Sequence, residues 1–479
     1  MNNYPRIVIG GLSGDSGKTM ITCGLLECLR ASGVNVAAFK KGPDYIDAAW
    51  LSLSSGKLTR NLDTYLMGTQ KVKGSFLRNA SAEGINIIEG NRGLFDGVDS
   101  QGTHSTAELA KLLQAPVIIV LNVSKMTRTA AALVFGCKFL DSELNILGVI
   151  LNRVAGKRHI EIAKESIEGE TGIPVLGTIP KLPAKFILPE RHLGLITPAE
   201  FEKRSSFLKD MRCIIKDNVD IPKIKEIAFN APSISYDPVE AEAEPGTGTT
   251  NKFTGEAPGR VKIGFFRDKS FSFYYPENLE ALEMAGAELI PVSSTEHFEP
   301  DDIDAFYIGG GFPELNLPGL SSNKEMTTTI KRLAEGGLPI YAECGGLIYL
   351  AEEIIYKGKK YSLSGVLPVS INLHNKPQGH GYCEMTVDRE NPFYNTGTKI
   401  KGHEFHYSKI FKHDPDIKSC LSVSRGYGCY DGRDGLSYKN VFASYVHIHA
   451  LATPEWAGGM IRCAQNYKEA KTTSLAGTN

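Results

Sequence analysis

A short apolar run, residues 6–10, passes directly into Gly11-Leu12-Ser13-Gly14-Asp15-Ser16-Gly17-Lys18-Thr19. A helical spacing of Ile21, Leu25, Leu26 and Leu29 follows. Strand, glycine-rich turn and amphipathic helix in that order leave few folds open. A strand this apolar is buried on both faces, and a helix that returns across one face sets the next strand parallel to the first. Further apolar runs at 34–39, 85–89, 117–122 and 146–152 are each followed by a helical stretch, and 175–179 adds another strand. The pattern predicts an α/β domain on a parallel sheet.

The pattern breaks at 235–259, which is acidic, then Pro-, Gly- and Thr-rich, with little apolar content. Such a stretch reads as a linker. Alternation restarts at 261–265 and continues through 288–292, 305–308 and 340–342 to 443–446. The expected organisation is a domain over 1–234, a linker over 235–259 and a second domain over 260–479. A chain of 479 residues is too long for one core, in keeping with two. The formal net charge of -1 carries no basic footprint for nucleic acid. No run approaches the ~18 apolar residues that span a bilayer, and no signal-peptide core is visible. The nine Cys are scattered, with no CxxC pair and no zinc spacing. A reduced, cytoplasmic protein without nucleic-acid or membrane partners is expected.

The first glycine-rich turn reads as a phosphate loop. Gly17, Lys18 and Thr19 fill the last three places of GxxxxGK[ST], but Leu12 stands where the first Gly belongs, so the loop is a variant. Backbone N–H groups at Gly14, Ser16 and Gly17 would cradle phosphates, and Lys18 would reach the terminal ones. Asp44 and Asp47 follow the second strand, and Glu89 ends a third, with Asp96 close behind. Carboxylates at the carboxyl ends of strands beside a phosphate loop suit Mg²⁺ and ATP, with Thr19, Asp44 or Asp47, and Glu89 as the metal set. Asn152 could read an adenine edge or simply close a strand-end turn.

In the second domain Ala342-Glu343-Cys344-Gly345-Gly346 joins an apolar strand to an apolar helix start. This has the logic of a nucleophile elbow, with a helix N-terminus to lower the thiol pKa. A thiolate needs a base: His447 is the best placed, while His449, His403 and His406 compete on spacing alone. Gly310, Gly311 and Gly345 offer backbone N–H donors for an oxyanion. Cys23, Cys28 and Cys137 look like core positions.

Nine short motifs in one order resemble the cobyrinic acid a,c-diamide synthase family of glutamine amidotransferases. They lie at 42–47, 60–63, 89–97, 188–195, 272–278, 309–314, 343–346, 402–408 and 444–449. The resemblance implies a P-loop, dethiobiotin-synthetase-like parallel-sheet domain followed by a flavodoxin-like class I glutamine amidotransferase domain. It implies Cys344 as the glutaminase nucleophile and His447 as its base. It also implies that Asp44, Asp47, Glu89 and Asp96 handle ATP, Mg²⁺ and the substrate carboxylate. Glutamine and a tetrapyrrole polycarboxylate are the implied substrates, with two acetates amidated at the a and c positions through acyl phosphates. Ammonia passing between two sites implies that they face each other or share a tunnel. A homodimer is left open.

Many class I glutaminases carry a Glu two residues after the His; here that place is His449, so the third member of the triad is open. Ala48-Ala49-Trp50 and Asn91-Arg92 also depart from the common cobyrinate pattern. The Asn-Arg pair looks like the branch that amidates sirohaem or nickel-sirohydrochlorin. Cobyrinate or hydrogenobyrinate and a sirohaem-type macrocycle therefore both stand as expected substrates. A reading from another class is an ATPase switch fused to an inert glutaminase-like domain.

Overall fold

The computed structural model describes residues 3–191, 194–234 and 260–476. The expected linker at 235–259 lies outside them, as do His192 and Leu193 of one motif. The chain divides into two compact units, residues 1–244 and 245–479.

The first unit is built on seven strands: β1 (Arg6–Gly11), β2 (Val36–Lys41), β3 (Arg60–Leu62), β4 (Ile85–Glu89), β5 (Val117–Asn122), β6 (Ile146–Val154) and β7 (Val175–Pro180). They lie in the order β3-β2-β4-β1-β5-β6-β7, all parallel. Every residue of β1 and β4 is buried, as strands covered on both faces must be. One face carries α1 (Lys18–Ala31), α2 (Tyr45–Ser55) and the helix Arg204–Asn218, with Leu25, Leu26, Trp50, Phe207 and Met211 packed over Ile9, Ile87 and Val120. Trp50, in the departing Ala-Ala-Trp stretch, is wholly buried and donates through Nε1 to Ile196 O (2.8 Å). The second strand runs two residues past its expected end, taking in Lys40 and Lys41. A lysine fits inside a buried strand because two carboxylates meet it there. A small antiparallel pair, β8 (Glu190–Arg191) and β9 (Gly194–Leu195), follows β7.

The second unit starts as a parallel sheet of β10 (Val261–Phe266), β11 (Ala287–Val292), β12 (Ala305–Ile308), β13 (Ile340–Glu343) and, much later, β22 (Val441–Ser444), in the order β11-β10-β12-β13-β22. Between them the chain makes β14 (Ala351–Tyr356), β15 (Lys359–Ser362), β16 (Leu367–Leu373), β17 (Gly379–Val387), β18 (Lys399–His406), β19 (Ser408–His413), β20 (Lys418–Arg425) and β21 (Arg433–Tyr438). Beyond β22 the main sheet continues antiparallel through β21, β20, β17 and β18 to β23 (His447–Ile448), and β14, β15, β16 and β19 form a separate sheet. The helix Glu455–Ala476 covers one face with Trp456, Met460 and Ile461. The helix Lys324–Glu335 covers the other with Ile330 and Leu333. Among the described residues no helix is long and apolar enough to cross a membrane. Cys23, Cys28 and Cys137 are buried, as expected.

The antiparallel extension matters because it pins residues 444–450. Cys344 N donates to Ser444 O (2.7 Å), Tyr445 N to Asp434 Oδ1 (3.3 Å) and Ala450 N to Asn278 Oδ1 (2.7 Å). Asp434 is fully buried, and burial raises its carboxyl to about 6. An unfolded aspartate titrates near ~3.9. Between those values the folded chain holds the proton more tightly, so stability falls as pH rises through the window, and above it the buried anion is a constant cost. Asp434→Asn keeps an acceptor for Tyr445 and removes the charge. Relative to the parent it is expected to gain about 2 kcal/mol more at pH 8 than at pH 4. Denaturant unfolding at both pH values measures this; an equal effect at the two would rule out a buried charge.

Candidate functional site

The loops after β1, β2 and β4 meet at the carboxyl edge of the first sheet, where ligands bind in parallel α/β folds. Gly17 sits at φ +92°, in the left-handed region that favours glycine. A Cβ there would stand 2.3 Å from Asn152 Nδ2. That amide donates to Ser16 O (2.8 Å), and its Oδ1 accepts from Arg153 N (2.9 Å). Asn152, for which sequence leaves an adenine edge and a strand-end turn both open, braces the phosphate loop in this structure. Gly14 is exposed at the loop tip and Ser16 is buried below it. Lys18 opens α1 and donates to Ser13 O (2.8 Å) and Arg92 O (2.9 Å). Burial, and then the Lys40 cation, lower its ammonium to about 8. A cation held off balance on carbonyls favours an incoming anion.

Lys40 lies between the carboxylates. Its Nζ stands 2.6 Å from Asp47 Oδ2, 2.7 Å from Glu89 Oε1 and 3.2 Å from Gly90 O, at 1% side-chain exposure. Burial alone would lower this ammonium; Asp47 and Glu89 outweigh it. Thr19 Oγ1 donates to the same Glu89 Oε1 (3.0 Å). Burial raises the Glu89 carboxyl and Lys40 opposes the rise, while Lys40 wins over burial at Asp47 and lowers it.

Asp44 has a different place. Its Oδ1 caps α2 by accepting from Asp47 N (2.9 Å), and burial and then the Asp47 charge raise its carboxyl to about 7. The cluster therefore joins Thr19, Lys40, Asp47 and Glu89, with Asp47 rather than Asp44 on the Lys40 and Glu89 side. Asp96 is exposed, and its Oδ2 accepts from Gly93 N (2.9 Å), which holds its own turn. Among the described residues no group of three or more His, Cys, Asp or Glu side chains is arranged to hold a metal. Glu89 Oε2, however, is buried with no hydrogen-bond partner among them.

In the second unit β13 ends at Glu343, and Cys344 turns the chain at φ +46°, ψ −96° into the helix Gly345–Leu350. A non-glycine residue in that region is strained, as a nucleophile elbow requires. The expected lowering of its thiol does not occur. Burial pushes the Cys344 thiol up, the Glu314 and Glu343 charges push it further, and the Gly345 N–H offsets only part of this. The resting sulfur is a thiol and needs a base to become a nucleophile. A Cβ on Gly345 would stand 3.1 Å from Gly311 N, so the glycine loop after β12 and the elbow share one small space. A Cβ on Gly310 would lie 2.2 Å from His447 Cε1, so only glycine lets the imidazole in. The glycine loop 310–311 thus meets Gly345 of the elbow on one side and His447 on the other.

The competing histidines have other partners. His406 stacks on Tyr445 (3.8 Å, 6°), and its Nδ1 meets Ser408 O (2.8 Å). His403 stacks beneath His447 (5.0 Å, 21°), and burial, then His447 and His449, hold it well below the usual histidine range. His449 Nε2 lies 3.6 Å from Glu277 Oε2. His447 Nδ1 lies 3.5 Å from Glu343 Oε2. Lys40 and Glu343 received no role from sequence. Their shared signal is a charged residue at the end of an otherwise apolar strand.

Residues 7–196 match the family described as CobQ/CobB/MinD/ParA nucleotide binding domain. Residues 262–455 match the CobB/CobQ-like glutamine amidotransferase domain. The chain is 41% identical over 458 residues to a cobyrinate a,c-diamide synthase of Magnetococcus marinus, covering 96% of this chain and 97% of that one. The chain belongs to the cobyrinate a,c-diamide synthase family. A second member, from Dehalococcoides mccartyi, is 39% identical, with 97% of this chain and 99% of that one covered. A third, from Archaeoglobus fulgidus, is 37% identical over the same shares. The family's nucleotide-binding match spans the phosphate loop and the Lys40 cluster. Its amidotransferase match spans Cys344 and His447.

Proposed function

We propose that this chain amidates the a and c acetate carboxylates of cobyrinate, consuming ATP and taking ammonia from glutamine. The carrying observation is the elbow at Cys344, whose Gly345 shares the glycine loop 310–311 with His447, in one chain with a phosphate loop and with 41% identity over nearly the full length to a cobyrinate a,c-diamide synthase.

His447 removes the Cys344 proton as sulfur attacks the glutamine carboxamide carbon. The oxygen that gains charge faces the Gly311 and Gly345 N–H groups. The proton passes to the departing nitrogen, ammonia leaves, and water hydrolyses the thioester to glutamate. In the first unit an acetate oxygen attacks the γ-phosphorus of ATP, the bond to the bridging oxygen breaks, and ADP leaves an acyl phosphate. Lys18 exchanges the Ser13 and Arg92 carbonyls for phosphate oxygens and offsets their charge. Ammonia attacks the acyl carbon, phosphate leaves, and the amide nitrogen loses a proton.

The donor set fits Mg²⁺: Thr19 Oγ1, the partnerless Glu89 Oε2 and Asp47 are hard oxygen ligands beside the loop. When bound, Mg²⁺ would neutralise phosphate charge. Lys40 then keeps Asp47 and Glu89 from repelling each other while the site is open.

The relatives support cobyrinate over the sirohaem-type substrate. The Asn91-Arg92 departure also has a local role, because Arg92, at φ +49°, presents its carbonyl to Lys18. Incubation with ATP, Mg²⁺, glutamine and cobyrinate is expected to yield a product with two carboxyl-to-amide changes by mass, and two ADP per macrocycle. Preferential conversion of sirohaem in a parallel reaction would overturn the substrate assignment.

A further inference from the structure

We propose that Glu343, the residue immediately before the nucleophile, is the positioning carboxylate that completes the Cys344–His447 pair. The inference rests on the glutaminase reading above and deepens it.

A catalytic imidazole needs a partner at the ring nitrogen remote from its nucleophile, to hold the tautomer and stabilise the imidazolium that forms. The residue two places after His447 cannot serve. His449 is fully buried, its Nδ1 accepts from Leu451 N (3.2 Å), and its Nε2 therefore carries its proton toward Glu277 Oε2 at 3.6 Å. Its ring lies tilted against Tyr275, centroids 4.6 Å apart. Its Nδ1 is thus taken by the Leu451 N–H and its Nε2 faces Glu277, away from His447.

Glu343 is oriented by the strand itself. β13 pairs with β22 in the register Glu343↔Ser444, and Cys344 N holds Ser444 O at 2.7 Å. His447, three residues past that partner, is fastened to β18 opposite His403. The Glu343 carboxyl is wholly buried, accepts from Ile448 N (3.4 Å) and presents Oε2 to His447 Nδ1 at 3.5 Å. Triad contacts of this length in empty sites tighten when substrate binds. Burial raises the Glu343 carboxyl, and His447, the Ile448 N–H and the Tyr307 hydroxyl act against the rise. His403, a further titratable neighbour of His447, is stacked at 5.0 Å, and burial first holds it well below the usual histidine range. Nucleophile and orienting acid would then be consecutive residues: the strand end supplies the acid and the turn supplies the sulfur.

The test is glutamine hydrolysis by the full chain as Glu343→Gln, Glu343→Asp and His449→Gln. Glu343→Gln is expected to lose roughly 10²–10⁴-fold in kcat with KM for glutamine little changed. The acid limb of its kcat/KM profile should move about one unit to lower pH, because an anion that favours the imidazolium is gone. Glu343→Asp keeps the charge and should hold the limb near its parental position while recovering part of kcat. A purely structural Glu343 would change the amount of folded protein and leave the limb in place. A thermal melt and circular dichroism report that the variants are folded. Parental kcat and an unmoved limb in Glu343→Gln, or transfer of both effects to His449→Gln, overturns the inference alone. A parent chain that hydrolyses no glutamine overturns the proposed function and this inference together.

Discussion

Cys344→Ala is expected to abolish amidation supported by glutamine, by roughly 10⁴-fold or more, while amidation from ammonium chloride continues. The sulfur forms and breaks the bond to the carboxamide carbon, and no neighbour can replace it. The substitution keeps a Cβ at φ +46°, so the elbow is no more strained than in the parent. The synthetase chemistry needs ammonia and is indifferent to its source. Glutamate release and product mass, measured in the same reactions, separate the outcomes. Loss of both nitrogen sources in a folded variant would end the two-site scheme. Survival of glutamine-supported amidation would remove Cys344 as nucleophile. A parent that turns over ATP but never releases glutamate would favour the ATPase-switch reading instead.

Glu89→Gln is expected to produce the opposite split. Amidation should fall by about 10²–10³-fold from either nitrogen source, and glutamine hydrolysis should persist. Glu89 touches Thr19 and Lys40 through Oε1, and its Oε2 is buried with no hydrogen-bond partner among the described residues. The amide can still accept from Thr19, so the loop stays in place. The negative charge that would hold a cation against the phosphates is gone. Lys40 retains Asp47, so its ammonium is not stranded, and the stability loss should stay below the ~3–5 kcal/mol of a fully broken buried pair. A thermal melt checks that part. Unchanged amidation would take Glu89 out of the synthetase site.

Much of the site was legible because its chemistry needs special backbone. Gly17 before Lys18, and Cys344 before Gly345-Gly346, mark turns that few residue types permit, and both lie where their motifs put them. His447 is not distinguished by spacing in the sequence, since four histidines are similarly spaced. Only packing separates them: His406 is held by Tyr445 and Ser408, His449 faces Glu277, and His447 fits over Gly310. The sequence marks the carboxylates as a group but does not sort them. Asp44 and Asp47 are three residues apart at a helix start; Asp44 caps the helix, and Asp47 makes the direct contact with Lys40. Lys40 is silent in the sequence because a lysine at a strand end usually reaches solvent, and nothing local announces the two carboxylates that meet it.

From sequence alone came the alternation of apolar strands and helices in two stretches, the phosphate loop, the elbow and the family. These follow from local rules: the period of side chains along a strand or helix, and the few residues that tolerate tight turns. Tertiary structure alone decided that Asp47 and not Asp44 meets Lys40, that Asn152 braces the loop, that burial keeps the Cys344 thiol protonated, and that Glu343 faces His447. Each of these depends on which groups share a water-free space. Charge, tautomer and ligand geometry there are set by neighbours tens to hundreds of residues away in the chain.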